Sequence, residues 1–83
     1  MKLWLGNIAP DTTDEEIKEL VNKYAPGLAW AGIQRVESGS RPGAVLEFSG
    51  EQTGALEKVS QRLNGMYWKE RSLVCEPIPT LRP

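Results

Sequence analysis

A helix start signal and an apolar stripe occur together near the N-terminus, and they constrain the fold more than any other feature of the sequence. Thr13-Asp14-Glu15-Glu16 has the S/T-x-x-E pattern of a capping box, in which Thr13 and Glu16 satisfy each other's backbone amides. Apolar side chains follow at helical spacing: Ile17, Leu20, Val21 and Tyr24. Pro26-Gly27 then stops the pattern. The sequence therefore predicts a first helix from about Asp14 to about Tyr24.

Four further segments alternate between apolar and polar residues, as strands do when one face is buried. They run from Lys2 to Ile8, from Leu28 to Val36, from Ala44 to Phe48 and from Arg71 to Glu76. A second helix is predicted between Ser49-Gly50-Glu51 and Asn64-Gly65. Its apolar stripe consists of Ala55, Leu56, Val59 and Leu63. The order of elements is therefore β-α-β-β-α-β.

This order predicts an α+β fold of the ferredoxin-like βαββαβ type. Two right-handed split βαβ units place the four strands in one antiparallel sheet, with both helices on one face. Strand parity directs these side chains towards the helices: Leu3, Leu5, Ile33, Leu46, Phe48, Leu73 and Cys75. The other face stays open, so function is expected there or on the loops. Residues 1–77 are predicted to form the domain and residues 78–83 a proline-rich tail, because the segment from Pro77 onwards cannot propagate either periodic structure.

Three other aromatic residues lie in the second strand and after the second helix. In the second strand, Ala31 and Ile33 are expected on one face and Trp30, Gln34 and Val36 on the other, with a bulge at Gly32. Trp30 is interpreted as a packing residue near a loop, and a stacking platform is the alternative. The adjacent pair Tyr67-Trp68 is expected to seal the bottom of the core.

The residue types present exclude most catalytic and metal chemistry. The 83 residues include one Cys and no His, so an internal disulfide, a Ser-His or Cys-His pair and a structural zinc site are not expected. Cys75 is interpreted as a small buried hydrophobe. The net charge of −1 gives no overall attraction to nucleic acid. We therefore expect a domain that is not an enzyme and that uses no cofactor or metal.

No part of the sequence indicates a membrane or secretory location. No run approaches the roughly 20 apolar residues needed to cross a bilayer. The N-terminus, Met1-Lys2-Leu3-Trp4-Leu5-Gly6, has no secretory signal pattern. A cytoplasmic location is expected, or a nuclear one in a eukaryote. Because the chain starts at Met1 and ends soon after the last strand, a stand-alone domain is also expected.

Several segments resemble motifs of the RNA-recognition-motif (RRM) family over nearly the whole chain, from Lys2 to about Glu76. Leu3-Trp4-Leu5-Gly6-Asn7-Ile8 resembles the family's first-strand motif, aliphatic-aromatic-aliphatic-x-Asn-aliphatic. The end of the second helix, Leu63-Asn64-Gly65, is also similar to the family pattern. So is the last strand, with Arg71-x-Leu73-x-Cys75. The stand-alone form would resemble small bacterial members. In this family, bases of single-stranded RNA stack on aromatic side chains of the open sheet, and basic residues hold the phosphates.

The resemblance implies a set of RNA-binding residues. Trp4 has the stacking position of the first-strand motif, and Arg41 has the basic first position of the third-strand motif. Lys2 is expected to hold a phosphate beside Trp4. Base edges or faces are expected to contact Gln34, Asn7 and Val45.

The third-strand motif departs from the family pattern. Its sequence is Arg41-Pro42-Gly43-Ala44-Val45-Leu46-Glu47-Phe48, so Gly43 and Val45 replace two outward aromatic residues. A stacked base contributes ~1–3 kcal/mol, so two missing platforms forfeit ~2–6 kcal/mol. We therefore expect weak RNA binding by the isolated domain, about micromolar or poorer.

Alternatives remain open for each of these residues. Trp4 could lie under the proline-rich tail or in a self-association contact, and Asn7 could fix the turn after the first strand. Arg41 and Lys2 could be solvated surface charges. The rival function is a protein-interaction or homodimerisation domain of the same fold. It would use Trp4 and an apolar patch formed by Val36, Val45 and Val74, and the outward carboxylates of Glu47 and Glu76 favour it.

Overall fold

The chain forms an antiparallel sheet whose strands are connected by two helices and a small hairpin. The structure is a computed structural model that describes residues 1–36, 42–50 and 53–78. The elements within those residues are β1 (Lys2–Gly6), α1 (Asp14–Tyr24), β2 (Trp30–Val36), β3 (Gly43–Phe48), α2 (Thr53–Leu63), β4 (Tyr67–Trp68), β5 (Arg71–Ser72) and β6 (Val74–Ile78). The main sheet has the order β2-β3-β1-β6, and β4 pairs with β5. The predicted ferredoxin-like βαββαβ fold is confirmed.

Helix α1 has the predicted bounds because its start is determined locally. The Glu16 amide donates to the Thr13 hydroxyl at 3.1 Å, and the Thr13 amide donates to Glu16 Oε1 at 2.9 Å. Both halves of the capping box are therefore formed. The stripe of Ile17, Leu20 and Val21 is buried against the sheet.

The core lies between the helices and one face of the sheet. Its buried apolar members include Leu3, Leu5, Ile17, Val21, Leu46, Phe48, Leu56, Val59, Leu63, Leu73 and Cys75. The predicted inward side chains are confirmed, with Ile33 only partly buried against the same cluster. Burying each large aliphatic side chain contributes about 1.5–3 kcal/mol, so this cluster is the main source of stability.

A bulge in β2 reverses the predicted direction of Trp30. The register of β2 against β3 shifts between Trp30 and Gly32, as the glycine indicated. One extra residue moves the preceding side chains to the other face. Trp30 consequently packs on Phe48, with ring centroids 4.6 Å apart, and its Nε1 donates to Asn22 of α1 at 3.2 Å. The prediction that Trp30 shares a face with Gln34 is wrong, and its interpretation as a packing residue is confirmed.

Other residues near element ends also differ from prediction. Ala31, expected inside beside Ile33, is exposed because it lies at the bulge. β1 ends at Gly6 and not at Ile8, because Asn7 has a φ of 59° that no strand residue adopts. β2 begins at Trp30, two residues later than predicted. Within the described residues α2 begins at Thr53, and the predicted start at Ser49-Gly50 is wrong, since Gly50 has a φ of 79°. Glu51 lies outside the described residues.

The predicted last strand is divided into two at Leu73. β5 pairs with β4, whereas β6 joins β1 in the main sheet. The Leu73 amide donates to Met66 O at 2.8 Å, and Leu73 O accepts from the Gly65 amide at 2.7 Å. β6 continues through Pro77 to Ile78, so the prediction that the chain leaves the sheet at Pro77 is wrong. An edge strand tolerates proline because its missing N–H can face away from the sheet.

The β4–β5 hairpin turns through Lys69 and Glu70 with positive φ values of 51° and 65°. A two-residue type I′ turn needs such angles, which Asn and Gly adopt more easily than Lys and Glu. Lys69 Nζ lies 3.1 Å from both Glu16 carboxylate oxygens and 3.7 Å from Asp11 Oδ1, which fixes the turn to the start of α1. Trp68 packs partly against the core, but Tyr67 is 70% exposed, so its predicted core role is wrong.

Candidate functional site

Three cross-strand rows make up the open face of the sheet, opposite the helices. The glycine row is Val36, Gly43, Gly6 and Val74. The tryptophan row is Gln34, Val45, Trp4 and Glu76. The lysine row is Gly32, Glu47, Lys2 and Ile78. Strand pairing thus places four of the predicted site residues, namely Lys2, Trp4, Gln34 and Val45, on one surface.

The indole of Trp4 lies over the two central members of the glycine row. A Cβ atom built on Gly43 would lie 2.7 Å from Trp4 Cζ2 and 2.9 Å from the Leu5 carbonyl oxygen. A Cβ atom built on Gly6 would lie 2.7 Å from Trp4 Nε1. The ring therefore leans from its own row across both glycines. Trp4 is half-buried as a result.

This contact changes the meaning of the glycine at position 43. By the family pattern, Gly43 is a missing aromatic platform. In the structure, Gly43 is the residue that leaves room for the Trp4 ring, because any side chain at position 43 would overlap the indole. The glycine and the orientation of the tryptophan are thus one structural feature.

Valine side chains border the indole at both ends of the glycine row. Val36 and Val74 are each 37% exposed. Val45 belongs to the tryptophan row, where it is half-buried and lies opposite Trp4. The predicted valine patch is therefore continuous with Trp4. Trp4 and the three valines together form an apolar strip on the open face.

Two of the charges on the open face lie in the lysine row, and a third lies in the tryptophan row. Glu47 and Lys2 lie opposite each other in the lysine row, whereas the Trp4 ring leans towards the glycine row. The structure therefore places Lys2 on the open face but does not bring it to the ring. Glu76 lies directly opposite Trp4, is exposed, and has no hydrogen bond or ion pair to any residue that the structure describes.

Asn7 connects the end of β1 to the β4–β5 hairpin. Its Nδ2 donates to Ser72 O at 2.8 Å, and its Oδ1 accepts from Arg71 Nη1 at 3.2 Å. Asn7 also has a left-handed backbone conformation. These two hydrogen bonds and this conformation are those expected if Asn7 fixes the turn after β1. A direct contact from Asn7 to a base stays a prediction.

The same end of the sheet carries a cation that sequence reasoning missed. Arg71 is half-buried, and across residues 1–36, 42–50 and 53–78 it has no carboxylate partner within ion-pair distance. Only the division of the last strand brings it to Asn7, so no pattern in the sequence indicates it. Arg41 lies outside the described residues. The next residue, Pro42, accepts a hydrogen bond from the Ile8 amide at 3.1 Å, at this same end.

The thiol of Cys75 is not available for nucleophilic chemistry. Burial and, secondly, the charge of neighbouring Glu76 raise its pKa to about 12. The thiol is therefore protonated at neutral pH. In the described part of the chain, no group of His, Cys, Asp and Glu side chains could hold a metal ion, and no helix is long and apolar enough to cross a membrane.

No family model and no curated protein matches the sequence. Solved structures are similar in fold. The third RRM of Pes4 superposes with a TM-score of 0.79 at 14% identity, covering 99% of this chain and 95% of that one. The Rna15 RRM with bound GU RNA gives 0.73 at 22% identity, covering 95% and 83%. The three N-terminal RNA-binding domains of the yeast splicing factor Prp24 give 0.75 at 19%, covering 96% and 31%. The chain therefore has the RRM fold.

Proposed function

We propose that this domain binds single-stranded RNA on the open face of its sheet and has no catalytic activity. The observation that carries the proposal is the indole of Trp4, which rests on Gly6 and Gly43 and is bordered by Val36 and Val74. The likeness to the Rna15 RRM, whose structure contains GU RNA, supports RNA as the ligand.

A base would stack on the outer face of the Trp4 ring. Stacking on one aromatic residue contributes ~1–3 kcal/mol. The glycine floor holds the ring in place before binding, so less conformational entropy is lost when a base arrives. Val36 and Val74 would exclude water from the edges of the stacked base. Val45 and Gln34 continue this surface towards β2 and would contact a base face or edge.

Phosphates would be held mainly at the glycine-row end of the sheet. Arg71 lies there, and so does Pro42, which follows Arg41 in the sequence. A guanidinium can contact a phosphate with two parallel hydrogen bonds. Lys2 would serve a phosphate only at the opposite end, where Glu47 offsets its charge.

We propose weak binding. The face has one aromatic platform in place of several, the chain has a net charge of −1, and Glu47 and Glu76 point outwards. A single ~1–3 kcal/mol stacking contribution with few phosphate contacts corresponds to an affinity of about micromolar or poorer. A cytoplasmic or nuclear location and a stand-alone, bacterial-type domain stay predictions.

The second candidate is a protein-binding or self-associating domain that uses the same face. The continuous apolar strip of Trp4, Val36, Val45 and Val74 favours it, because such a strip suits a protein surface as well as a nucleotide.

A chemical-shift titration with short RNA oligomers separates the two candidates. Under RNA binding, amide peaks of β1 and β3 move on titration, and Trp4→Ala removes most of the affinity while the fold persists. Tyr67→Ala is the matched control, because Tyr67 is a highly exposed aromatic residue outside the main sheet. Unchanged affinity in Trp4→Ala refutes the assignment of Trp4. Silent β1 and β3 peaks with a concentration-dependent mass favour the protein interface.

A further inference from the structure

The main sheet has two edge strands, β2 and β6, and the outer edge of β6 is blocked. Just before β6, the Leu73 amide donates to Met66 O at 2.8 Å. The Cys75 amide also points away from β1 and donates to Asn64 Oδ1 at 3.1 Å. Pro77, two residues further on, has no N–H to offer. Another strand therefore finds few free donors along β6.

Hydrogen bonds at the end of β3 show which of its residues face β2. Phe48 exchanges backbone hydrogen bonds with Met1, at 2.8 and 2.9 Å, so it faces the β1 side. The Ser49 amide donates to Ala29 O at 2.8 Å, so the next residue faces the β2 side. Because successive residues of a strand point to opposite neighbours, the even-numbered residues of β3 bond to β1 and the odd-numbered ones to β2.

This alternation determines the free backbone groups on the outer edge of β2. Gln34 and Val36 are in register with odd-numbered residues of β3, so their amides and carbonyls bond within the sheet. Ile33 and Arg35 are in register with even-numbered residues, so their amides and carbonyls point away from the sheet. Neither of these two backbones has a hydrogen bond on that side to any residue that the structure describes.

The side chains of β2 do not protect this edge. Exposed edges are commonly blocked by proline or by a free charge, and β2 has no proline. Its one charged residue, Arg35, is held by Asp14 Oδ1 at 3.1 Å and by Thr12 O at 2.8 Å. The bulge lies between Trp30 and Gly32, before the two outward-pointing positions. The edge is therefore open to strand addition over the second half of β2.

The residues of β2 are self-complementary about Gln34. In an antiparallel pair of two β2 strands centred on Gln34, Ile33 of each copy lies opposite Arg35 of the other, and the outward backbone groups bond to each other. Val36, which is 37% exposed, lies opposite Gly32 of the other copy, where a Cβ atom would meet nothing within 4 Å. The two Gln34 amides meet at the axis, and each has donors and an acceptor for the other.

We propose that the domain forms a weak twofold dimer by antiparallel pairing of β2 with β2 of a second copy. This interface lies at the sheet edge, so it is separate from the open face and does not depend on RNA binding. The net charge of −1 gives little repulsion between copies. A single strand pair makes a small interface, which is typical of transient complexes.

The dimer would join the two open faces into one surface. Since the axis passes between the two Gln34 residues, the tryptophan row continues from one copy into the other. The two Trp4 residues would lie on the same side of the joined sheet, about five strand spacings or roughly 24 Å apart.

Hydrogen exchange at single amides tests the strand pairing. As the protein concentration rises from about 50 µM to about 2 mM, the Ile33 and Arg35 amides should exchange at least about threefold more slowly, because the second copy bonds to them. The Gln34 and Val36 amides bond to β3 in either state and are the internal control. Sedimentation over the same range should show a mass that rises towards twice that of the chain.

Charges at the axis give a second test. Gln34→Lys and Gln34→Glu should each weaken dimerisation at least about tenfold, because like charges then meet across the axis. A mixture of the two variants should dimerise again. Ser72→Lys and Ser72→Glu are the matched controls, since Ser72 is exposed on β5 outside the main sheet, and they should keep the dimer.

Two results would overturn the proposal. One is a chain that stays monomeric up to about 2 mM. The other is a dimer in which the exchange of Ile33 and Arg35 does not change, or which the Gln34 variants leave intact. That second result would assign self-association to another surface, such as the apolar strip of the open face.

Discussion

Gly43 lies directly beneath the indole of Trp4, so closely that a methyl group in place of its hydrogen would lie 2.7 Å from the ring atom Cζ2. Gly43 is paired with Gly6 on one side and with Val36 on the other. The glycine therefore acts as a floor for the ring. A comparison of motifs would count it as a lost platform, whereas in the structure it leaves room for the Trp4 ring.

The first prediction concerns restoring the aromatic residue of the family pattern. Gly43→Phe should weaken RNA binding at least about tenfold, because the new side chain displaces the Trp4 ring and removes its stacking contribution. Overpacking of this kind also costs about 1–3 kcal/mol of stability. Isothermal titration with a short RNA and tryptophan fluorescence measure the two effects. Tighter binding by Gly43→Phe would refute the role of the glycine as a floor.

The second prediction uses the other departure from the motif. Val45 is half-buried, points to the open face and lies opposite Trp4. Val45→Phe should tighten RNA binding, because it adds a platform worth ~1–3 kcal/mol without taking the space of the indole. The same titration checks it, with Val45→Leu as the control for added apolar volume. Equal effects of Phe and Leu would contradict a stacking mechanism.

The third prediction is a pH dependence of stability at Glu16. The hydrogen bond from the Thr13 amide and then the Lys69 ammonium lower the pKa of this carboxyl group below its usual value. Because the folded pKa is depressed, the stability it contributes is complete above the unfolded pKa of roughly 4.3 and is lost as the pH falls through the folded pKa. Thermal unfolding of Glu16→Gln between about pH 2 and 7 should lack this part of the acid destabilisation.

The control for Glu16 is Glu19→Gln, on the same helix. Glu19 is exposed and makes no hydrogen bond among the residues that the structure describes. Replacing Glu19 should leave the loss of thermal stability at low pH the same as in the parent chain. Identical profiles for the two variants would show that Glu16 has no special contribution.

The fourth prediction concerns the thiol of Cys75. Because its pKa is raised to about 12, a thiol reagent at neutral pH should react with it only when the domain unfolds. Leu46→Ala removes buried volume from the core and costs about 2–5 kcal/mol, so it should speed the reaction at least about tenfold. The rate at which Cys75 reacts is measured from the absorbance of the thiolate that an aromatic disulfide reagent releases. A fast reaction of the parent chain, equal to that in urea, would contradict the burial of Cys75.

Local patterns in the sequence correctly predicted the elements that short-range physics determines. The capping box from Thr13 to Glu16 and the apolar stripe after it set the bounds of α1. Alternation in β1 and β3 placed Trp4 and Val45 on the open face. These predictions succeed because hydrogen bonds and side-chain periodicity within a few residues decide them.

Other features were decided only when distant segments came together. The bulge in β2 turned Trp30 into the core, and Leu73 divided the last strand and brought Arg71 to Asn7. The position of the Trp4 indole depends on a glycine 39 positions away in the chain. The sequence by itself determined that Trp4 lies on the open face, but it placed Trp30 on that face as well. Only the tertiary structure decided that Trp30 packs into the core and that the Trp4 ring lies over Gly6 and Gly43, because both depend on cross-strand contacts that no local pattern encodes.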